Sequence, residues 1–282
     1  MNPGTKDARE LIAFYLDSGA DALLGEEPVD RMADESPPPA IPVGLHPPSP
    51  PPPRKVAASS TAPAQGKTFF QAAPASPEAA VMAARQAARN AASLDELRAL
   101  LAEFEGCALR TTATQVVFAD GNPQSRVMFV GEAPGHDEDV IGRPFVGRSG
   151  KLLDLMMAAI GLDRTKVYIA NVVPWRPPGN RTPTPQETAI CLPFISRQIA
   201  LVDPRWLVCL GSSATQTLLG AKEGITRARG VWRDYAIADG RTIPALPMFH
   251  PAYLLRNPGA KGEVWKDLQK VMAVLGLKSR SK

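Results

Sequence analysis

The sequence has few cysteines and no long apolar run, and each shortage excludes a class of protein. Its three cysteines, Cys107, Cys191 and Cys209, form no CxxC pair and leave one over. We therefore expect a reducing compartment and no disulfides. No run of about 18 uncharged apolar residues could span a bilayer, and acidic residues stand where a secretory signal would be apolar. These absences predict a cytoplasmic protein that is neither secreted nor bound to a membrane.

Proline is unevenly distributed and divides the chain into segments. Ten of the 29 prolines fall between Pro37 and Pro53. A stretch so rich in Pro, Ala and Ser favours polyproline II or disorder over a packed fold. The sequence therefore predicts an acidic segment over residues 1–32 with an amphipathic helix at 7–24, a disordered linker over 33–79, and a folded domain over 80–282.

Charge is also unevenly distributed. Residues 1–36 carry nine acidic and three basic side chains, a charge of −6, which leaves +10 for the rest because the total is +4. A basic domain suits a polyanion such as nucleic acid. Many basic globular proteins bind no nucleic acid, so charge alone leaves both interpretations open.

Apolar strand-like runs alternate with helical runs from Arg126 onward. The strand-like runs are RVMFVG, KVYIANVV and RWLVCLG, with a fourth near Ala245–Phe249. The helical runs include PQETAICLPFISRQIALV at 185–202, and a last helix is predicted at about 261–275. A helical region with a capping-box pattern, Ser93 and Glu96, precedes them. Such alternation is typical of a parallel sheet covered by helices. We predict a three-layer α/β/α domain with a mostly parallel four-stranded sheet, whose ligands bind beyond the carboxyl ends of the strands.

The first strand leads into a glycine-rich loop that gathers acidic residues, over positions 131–150. Glu132, Asp137, Glu138 and Asp139 crowd together there. A phosphate-binding loop would need a GK[ST] ending, which is absent, and the acids would repel a triphosphate. The ordinary alternative is a solvated acidic turn.

Two further polar loops follow the second and fourth predicted strands. The loop at 171–185 carries Asn171, Asn180 and Arg181, and the loop at 249–258 carries His250 and Arg256. A single histidine is more often structural than catalytic. Three such loops at one edge of the sheet nevertheless favour a functional site.

The motifs GEAPGxDED, GRPFVGRSG, NVVxxRPPGNRTP and HPAYLLR together resemble those of the uracil-DNA glycosylases, specifically the bacterial and archaeal family 4 type. The resemblance extends from about Thr114 to the end of the last helix. It implies an enzyme that flips a deoxyuridine out of DNA, hydrolyses its bond to deoxyribose and leaves an abasic site.

The resemblance also implies roles for pocket residues. Phe145 would stack on uracil, although it could equally be a core residue, and Asn171 would read the base edge. Glu138 would position the attacking water and His250 would hydrogen-bond the developing oxyanion. Glu132 and Asn180 match further polar positions of the pocket and are the other catalytic candidates. Gly131 and Ala133 match substrate-binding positions, and Ala133 replaces an aspartate of family 1 enzymes.

DNA contacts are implied at loop residues around this pocket. Leu254 or Leu255 would fill the gap left by flipping, unless either leucine belongs to the core, and Arg256 would bind phosphate. Other phosphate contacts are expected at Arg148, Ser149, Arg181, Gly211 and Ser212.

One departure from family 4 concerns its four-iron four-sulfur cluster, which four cysteines hold. Cys107 and Cys191 match the second and fourth of these, but Phe104 and Trp175 stand at the first and third, and Cys209 lies within a strand. Because such a cluster normally needs four thiolates, we predict that the chain holds none and that Phe104 and Trp175 pack apolar surface there.

Two other functions remain open from the sequence. The chain could bind uracil-containing or abasic DNA without turnover, or residues 1–80 could be an adaptor for a repair or replication protein. Retention of Glu138, Asn171 and His250 favours the enzyme, which we expect to be a monomer.

Overall fold

A computed structural model of the chain describes residues 76–277. The predicted acidic segment, its helix at 7–24 and the linker up to residue 75 lie outside the described residues. The first described helix begins at Pro77, three residues before the predicted start of the domain at residue 80. Ser76 caps this helix by accepting a hydrogen bond from the Ala79 amide, and proline suits the first helical position.

Helices make up much of the described part of the chain. They are α1 (Pro77–Asn90), α2 (Leu94–Glu103), α3 (Leu109–Thr112), α4 (His136–Ile141), α5 (Arg148–Ala159), α6 (Pro185–Val202), α7 (Ser212–Leu219), α8 (Ile225–Ala228), α9 (Pro251–Arg256) and α10 (Lys261–Val274). Short 3-10 turns occupy Pro178–Asn180 and Pro258–Ala260.

The strands form one sheet in the order β1-β3-β2-β4-β6-β5. They are β1 (Asp120–Gly121), β2 (Val127–Gly131), β3 (Tyr168–Asn171), β4 (Trp206–Leu210), β5 (Arg233–Ala236) and β6 (Thr242–Met248). The four central strands β3, β2, β4 and β6 run parallel, which confirms the four predicted strands. The prediction of four strands in all was wrong, because β1 and β5 add antiparallel edges.

Both faces of the sheet are buried, as expected for parallel strands covered by helices. Along β2, Met128 and Val130 face a core shared with α1, α2, α6 and α7, whereas Val127 and Phe129 face a core shared with α5 and α10. The alternation follows from the two-residue period of a strand. The structure thus has the predicted three layers.

Helix α6 occupies the same residues, 185–202, as the predicted helical run. Thr184 accepts from the Glu187 amide, and the Glu187 carboxylate accepts from the Thr184 amide at 2.7 Å. This reciprocal capping satisfies two amides that the first turn would otherwise leave unpaired. Within residues 76–277, no helix combines the length and hydrophobicity needed to cross a membrane.

Candidate functional site

A cavity of about 480 Å³ opens at the carboxyl ends of β2, β3 and β6. The loops after these strands form its walls, as the topology predicts. The sequence-predicted residues that line it are Glu132, Ala133, Glu138, Phe145, Ser149, Asn171, Asn180, Arg181, His250 and Arg256. The three polar loops therefore meet at one site.

Glu138 is buried at this cavity, and main-chain amides fix its carboxylate. One oxygen accepts from the amides of Val146 and Gly147, at 2.9 and 2.8 Å, and the other accepts from Gly135 at 3.1 Å. The first turn of α4 carries Glu138 three residues after its cap Gly135, which gives the reach for this last bond. Three amide donors hold a negative charge at a defined place.

Asp139 separates in the structure from the acidic residues that crowd around it in the sequence. Asp139 points away from Glu138, and its carboxylate accepts from the amide and the hydroxyl of Thr114, at 2.8 and 2.9 Å. Within residues 76–277, no three His, Cys, Asp or Glu side chains lie close enough together to hold a metal ion. Asp137 and Glu138 stay together near Gly147, where a Cβ would lie 2.8 Å from Asp137 Oδ2 and 3.3 Å from Glu138 Oε1.

Glu132 follows β2 directly and is half-buried in the cavity wall. Burial raises the pKa of its carboxyl group, and hydrogen bonds with Ser213 and Thr182 only partly oppose this shift. Its Oε1 has no hydrogen-bond partner among the described residues. Glu132 therefore offers the cavity an oxygen without a partner, whereas each oxygen of Glu138 already accepts from at least one main-chain amide.

Asn171 is the last residue of β3 and pairs in register with Gly131. Its side chain is only 5% exposed, and its Oδ1 lacks a partner among the described residues. Buried polar atoms are normally hydrogen-bonded, so an unpaired acceptor lining a cavity is prepared for a donor on a ligand. A Cβ at Gly131 would lie 2.5 Å from this oxygen and 2.5 Å from the Phe145 ring, so only glycine fits there.

Phe145 is buried beside the cavity with a left-handed backbone, at φ 56°. Bulky side chains rarely adopt this conformation, and such residues often mark functional sites. Its ring centroid lies 5.5 Å from that of His250 with the planes inclined by 31°. Phe145 therefore gives the cavity an aromatic wall opposite the imidazole.

His250 caps α9, and this role fixes its tautomer. The Ala252 amide donates to Nδ1 at 3.1 Å, so Nδ1 carries no proton and the neutral ring has its N–H at Nε2. Burial, aided by the positive charge of Arg256, lowers the pKa of His250 to about 4. The imidazole is thus a neutral hydrogen-bond donor at ordinary pH.

Asn180 lies at the mouth of the cavity rather than in its depth. It has a left-handed backbone, at φ 55°, and its Oδ1 accepts from Nε of Arg176 at 2.7 Å. Arg176 also donates to Nδ1 of His136 at 3.1 Å, so it links the first polar loop to the second. Arg176 was not predicted as a site residue, although its charge among the prolines of RPPGN was a usable signal.

The basic residues predicted to contact DNA differ in whether their charge already has an anionic partner within the protein. Arg148 is exposed at the start of α5, beside Ser149, where unpaired helix amides favour anions. Arg181 instead makes two hydrogen bonds to Glu187, at 2.7 and 2.8 Å, so its guanidinium already has an anionic partner. Gly211 and Ser212 line a neighbouring cavity of about 710 Å³, which shares Arg256 with the first.

The two candidate wedge leucines are distinguished by burial. Leu254 is 1% exposed and belongs to the core beneath α9, whereas Leu255 is 40% exposed. Leu254 thus matches the alternative that one of the two leucines is a core residue, because insertion into DNA would require it to leave that core. Tyr253, which was not predicted as a site residue, is 38% exposed and stacks on Phe249 with ring centroids 4.7 Å apart.

Cys107, Trp175 and Cys191 are buried in the core on one face of the sheet, and Phe104 packs against the same core; these four residues are here called the apolar corner. Trp175 is 1% exposed, and Phe104 packs edge-on against Phe194 with centroids 5.0 Å apart. A hydrogen bond with Cys107, together with burial, raises the pKa of the Cys191 thiol, and burial raises the pKa of Cys209 to about 12. This residue set does not fit a four-thiolate ligand sphere.

Comparison with known proteins agrees with the geometry. The family model of the Uracil DNA glycosylase superfamily matches residues 118–269. The chain is 47% identical over 152 residues to a type-4 uracil-DNA glycosylase of Thermotoga maritima, covering 54% of this chain and 77% of that protein. It is 39% identical over 191 residues to one of Archaeoglobus fulgidus, covering 66% and 95%. A type-5 uracil-DNA glycosylase of Pyrobaculum aerophilum is 29% identical over 154 residues, covering 49% and 66%.

Proposed function

Because the chain belongs to the uracil-DNA glycosylase superfamily, we propose that it removes uracil from DNA in base excision repair. It is a monofunctional glycosylase, which hydrolyses the N-glycosidic bond of deoxyuridine and leaves an abasic site. The observation that carries this proposal is the unpaired, buried Oδ1 of Asn171 in a cavity walled by Phe145 and His250.

Base recognition follows from Asn171. Its amide can accept from N3–H of uracil while donating to O4, whereas cytosine presents the opposite pattern on that edge. Cytosine would leave buried groups unpaired, at a cost of about 1–3 kcal/mol each. Stacking on Phe145 contributes about 1–3 kcal/mol more, which offsets the cost of flipping the nucleotide.

His250 is placed to stabilise the uracil leaving group. Bond cleavage places negative charge on uracil O2, and the Nε2–H of a neutral imidazole can donate to it. One such donor to a developing oxyanion is worth about 3–4 kcal/mol. The amide of Ala252 keeps the donating tautomer in place, so no proton has to be rearranged during the step.

Two carboxylates are available to stabilise the cationic sugar and to accept hydrogen bonds from the attacking water. We assign Glu138 to the cationic sugar and the attacking water, because three amides hold its charge at the cavity. A water that attacks carbon with its lone pair can donate both of its hydrogens. Glu132, whose Oε1 is unpaired, is the second available acceptor, while Asn180 closes the mouth.

DNA binding is assigned to the surface around the cavity. Leu255 is exposed for insertion into the gap left by the flipped base. Arg148, Ser149, Gly211, Ser212 and Arg256 are assigned to phosphates, and Arg181 chiefly anchors its loop through Glu187. The abasic product would be held by the same contacts.

The test is excision from a labelled oligonucleotide containing one uracil, followed by alkali. Full-length protein should yield cleaved strand, and Glu138→Gln and His250→Ala should each lower the rate. Unchanged activity in both variants would refute the site assignment. Binding without an alkali-labile product would favour a uracil- or abasic-DNA binding protein. Deletion of residues 1–75 leaves helix α1 and its cap Ser76 intact. Lost excision after this deletion would give the N-terminal segment a part in catalysis, whereas full activity would confine it to recruiting a repair or replication protein or to autoinhibition.

We also propose that the enzyme works without an iron-sulfur cluster. Two of the four ligand positions carry Phe104 and Trp175, which pack in the apolar corner, and a cluster of this kind normally uses four thiolates. No step in the reaction above uses such a group. Iron and acid-labile sulfide analysis of purified protein should find neither; about four irons per chain would refute this proposal.

A further inference from the structure

Arg164 lies outside the cavity, yet it contacts the main chain of the residue that forms the cavity's aromatic wall. It precedes β3, in the turn after α5, and it does not line either cavity at the site. Its guanidinium donates to the carbonyl oxygen of Pro144 at 3.1 Å and to that of Phe145. These are the two carbonyls on either side of the Phe145 amide and Cα.

The Phe145 main chain needs support, because it is left-handed without being glycine. The surrounding structure must therefore impose this conformation. On one side stands Gly150, where a Cβ would lie 1.7 Å from the Phe145 oxygen. On the other side, Arg164 binds that oxygen, so the carbonyl is confined between a glycine and a guanidinium.

Arg164 is itself held firmly. Nε donates to Asp154 at 2.9 Å, and Nη1 donates to Asp120. The side chain is 23% exposed, so these ion pairs are partly shielded from water. The planar guanidinium supplies donors in several fixed directions to two carboxylates and two carbonyls, which a lysine ammonium cannot reproduce.

We propose that Arg164 is a positioning residue for uracil excision, acting through Phe145. It holds the Phe145 main chain so that the ring keeps its place against Gly131 and opposite His250. This inference rests on the proposed stacking of uracil on Phe145. Arg164 touches neither the base nor the sugar.

Single-turnover excision by full-length Arg164→Lys tests the proposal. We expect the maximal rate to fall between about tenfold and a hundredfold, because small displacements of a positioning group have such effects. Arg197→Lys is the matched control, since Arg197 is also half-buried and its Nε and Nη2 donate to the Ala91 carbonyl, at the far side of α6. A similar loss of thermal stability in both variants, with the rate lowered only in Arg164→Lys, supports positioning.

A double-mutant cycle separates positioning from general damage. Phe145→Gly removes the ring and relieves the backbone, so adding Arg164→Lys to it should leave the residual rate unchanged. Equal losses in both backgrounds would overturn the proposal. If Arg164→Lys fails to fold, Asp154→Asn loosens the same guanidinium, and its smaller loss should likewise vanish in the Phe145→Gly background.

The same assay distinguishes failure of the proposed function from failure of the role proposed for Arg164. Wild-type protein that releases no uracil would overturn the proposed function and this inference with it. Wild-type activity with an undiminished rate in Arg164→Lys would overturn the role of Arg164 alone.

Discussion

The cavity and the apolar corner are built partly from the same loop, with Asn171 in the cavity and Trp175, four residues later, in the corner. The cavity contains buried oxygens without partners, on Glu132 and Asn171, and a strained residue, Phe145. The corner contains the buried indole of Trp175, the buried thiols of Cys107 and Cys191, and Phe104, which packs against Phe194. Polar groups left unpaired thus mark where a ligand binds, whereas closely packed apolar groups mark where the loop is anchored.

The comparison predicts that changes in the corner affect stability and changes in the cavity affect chemistry. Trp175→Ala should have the largest effect, because it empties a fully buried site at a cost of about 3–5 kcal/mol. Urea denaturation measures this loss. Under conditions where the variant is fully folded, it should retain most of its excision rate. A rate far below that of the wild type in the fully folded variant would contradict this separation of stability from chemistry.

His250→Ala should have the largest effect on chemistry. Removing one donor to a developing oxyanion is expected to lower the single-turnover rate about 10²- to 10³-fold. The loss of stability should be smaller than in Trp175→Ala, since the helix cap that His250 provides is worth about 0.5–2 kcal/mol. A variant that loses stability as Trp175→Ala does, but keeps its rate, would place His250 with the corner instead.

Asn171→Ala should remove about 1–3 kcal/mol of transition-state stabilisation, which lowers kcat/KM roughly 5- to 150-fold. The loss reflects the missing partner for uracil N3–H. Steady-state kinetics on a single-stranded uracil substrate measures it without the cost of opening a duplex. Wild-type kinetics in this variant would mean that another group reads the base.

Leu255→Ala should have a smaller effect, on the order of tenfold or less, and only on duplex substrate. Single-stranded DNA has no gap to fill, so its excision should be unaffected. Leu254→Ala is the matched control, because it should lower stability without this preference for duplex. Equal effects on both substrates would argue against a wedge at Leu255.

The smallest expected effect is that of pH on the single-turnover rate. The pKa of His250 is lowered to about 4, so its neutral form, the proposed donor, persists as pH falls to about 4. Protonation of His250 therefore removes no activity between about pH 5 and 8. A loss of single-turnover rate near pH 6.5 that disappears in His250→Ala would show that the ring titrates normally.

Much of the fold could be predicted because buried parallel strands and amphipathic helices leave strong apolar patterns. The helix at 185–202 was predicted with its observed bounds, since Thr184, Pro185 and Glu187 mark its start. The edge strands β1 and β5 were missed because they are short and partly polar, and edge strands need little apolar surface.

The site was predictable in its residues but less so in its geometry. Adjacent leucines look alike in sequence, and only the packing of α9 separates the buried Leu254 from the exposed Leu255. The left-handed Phe145 could not be predicted, because the conformation depends on Arg164 and Gly150 rather than on local preference. Similarly, nothing local to Arg181 indicates its pairing with Glu187.

Gly131 limits how this enzyme could change its base preference through mutation. Every single-nucleotide missense change from a glycine codon adds a Cβ, and at this position the Cβ would push against both Asn171 and the Phe145 ring. Recognition and stacking would be damaged together by one step. Variants with altered specificity should therefore arise at other wall positions, such as Ala133, before they arise at residue 131.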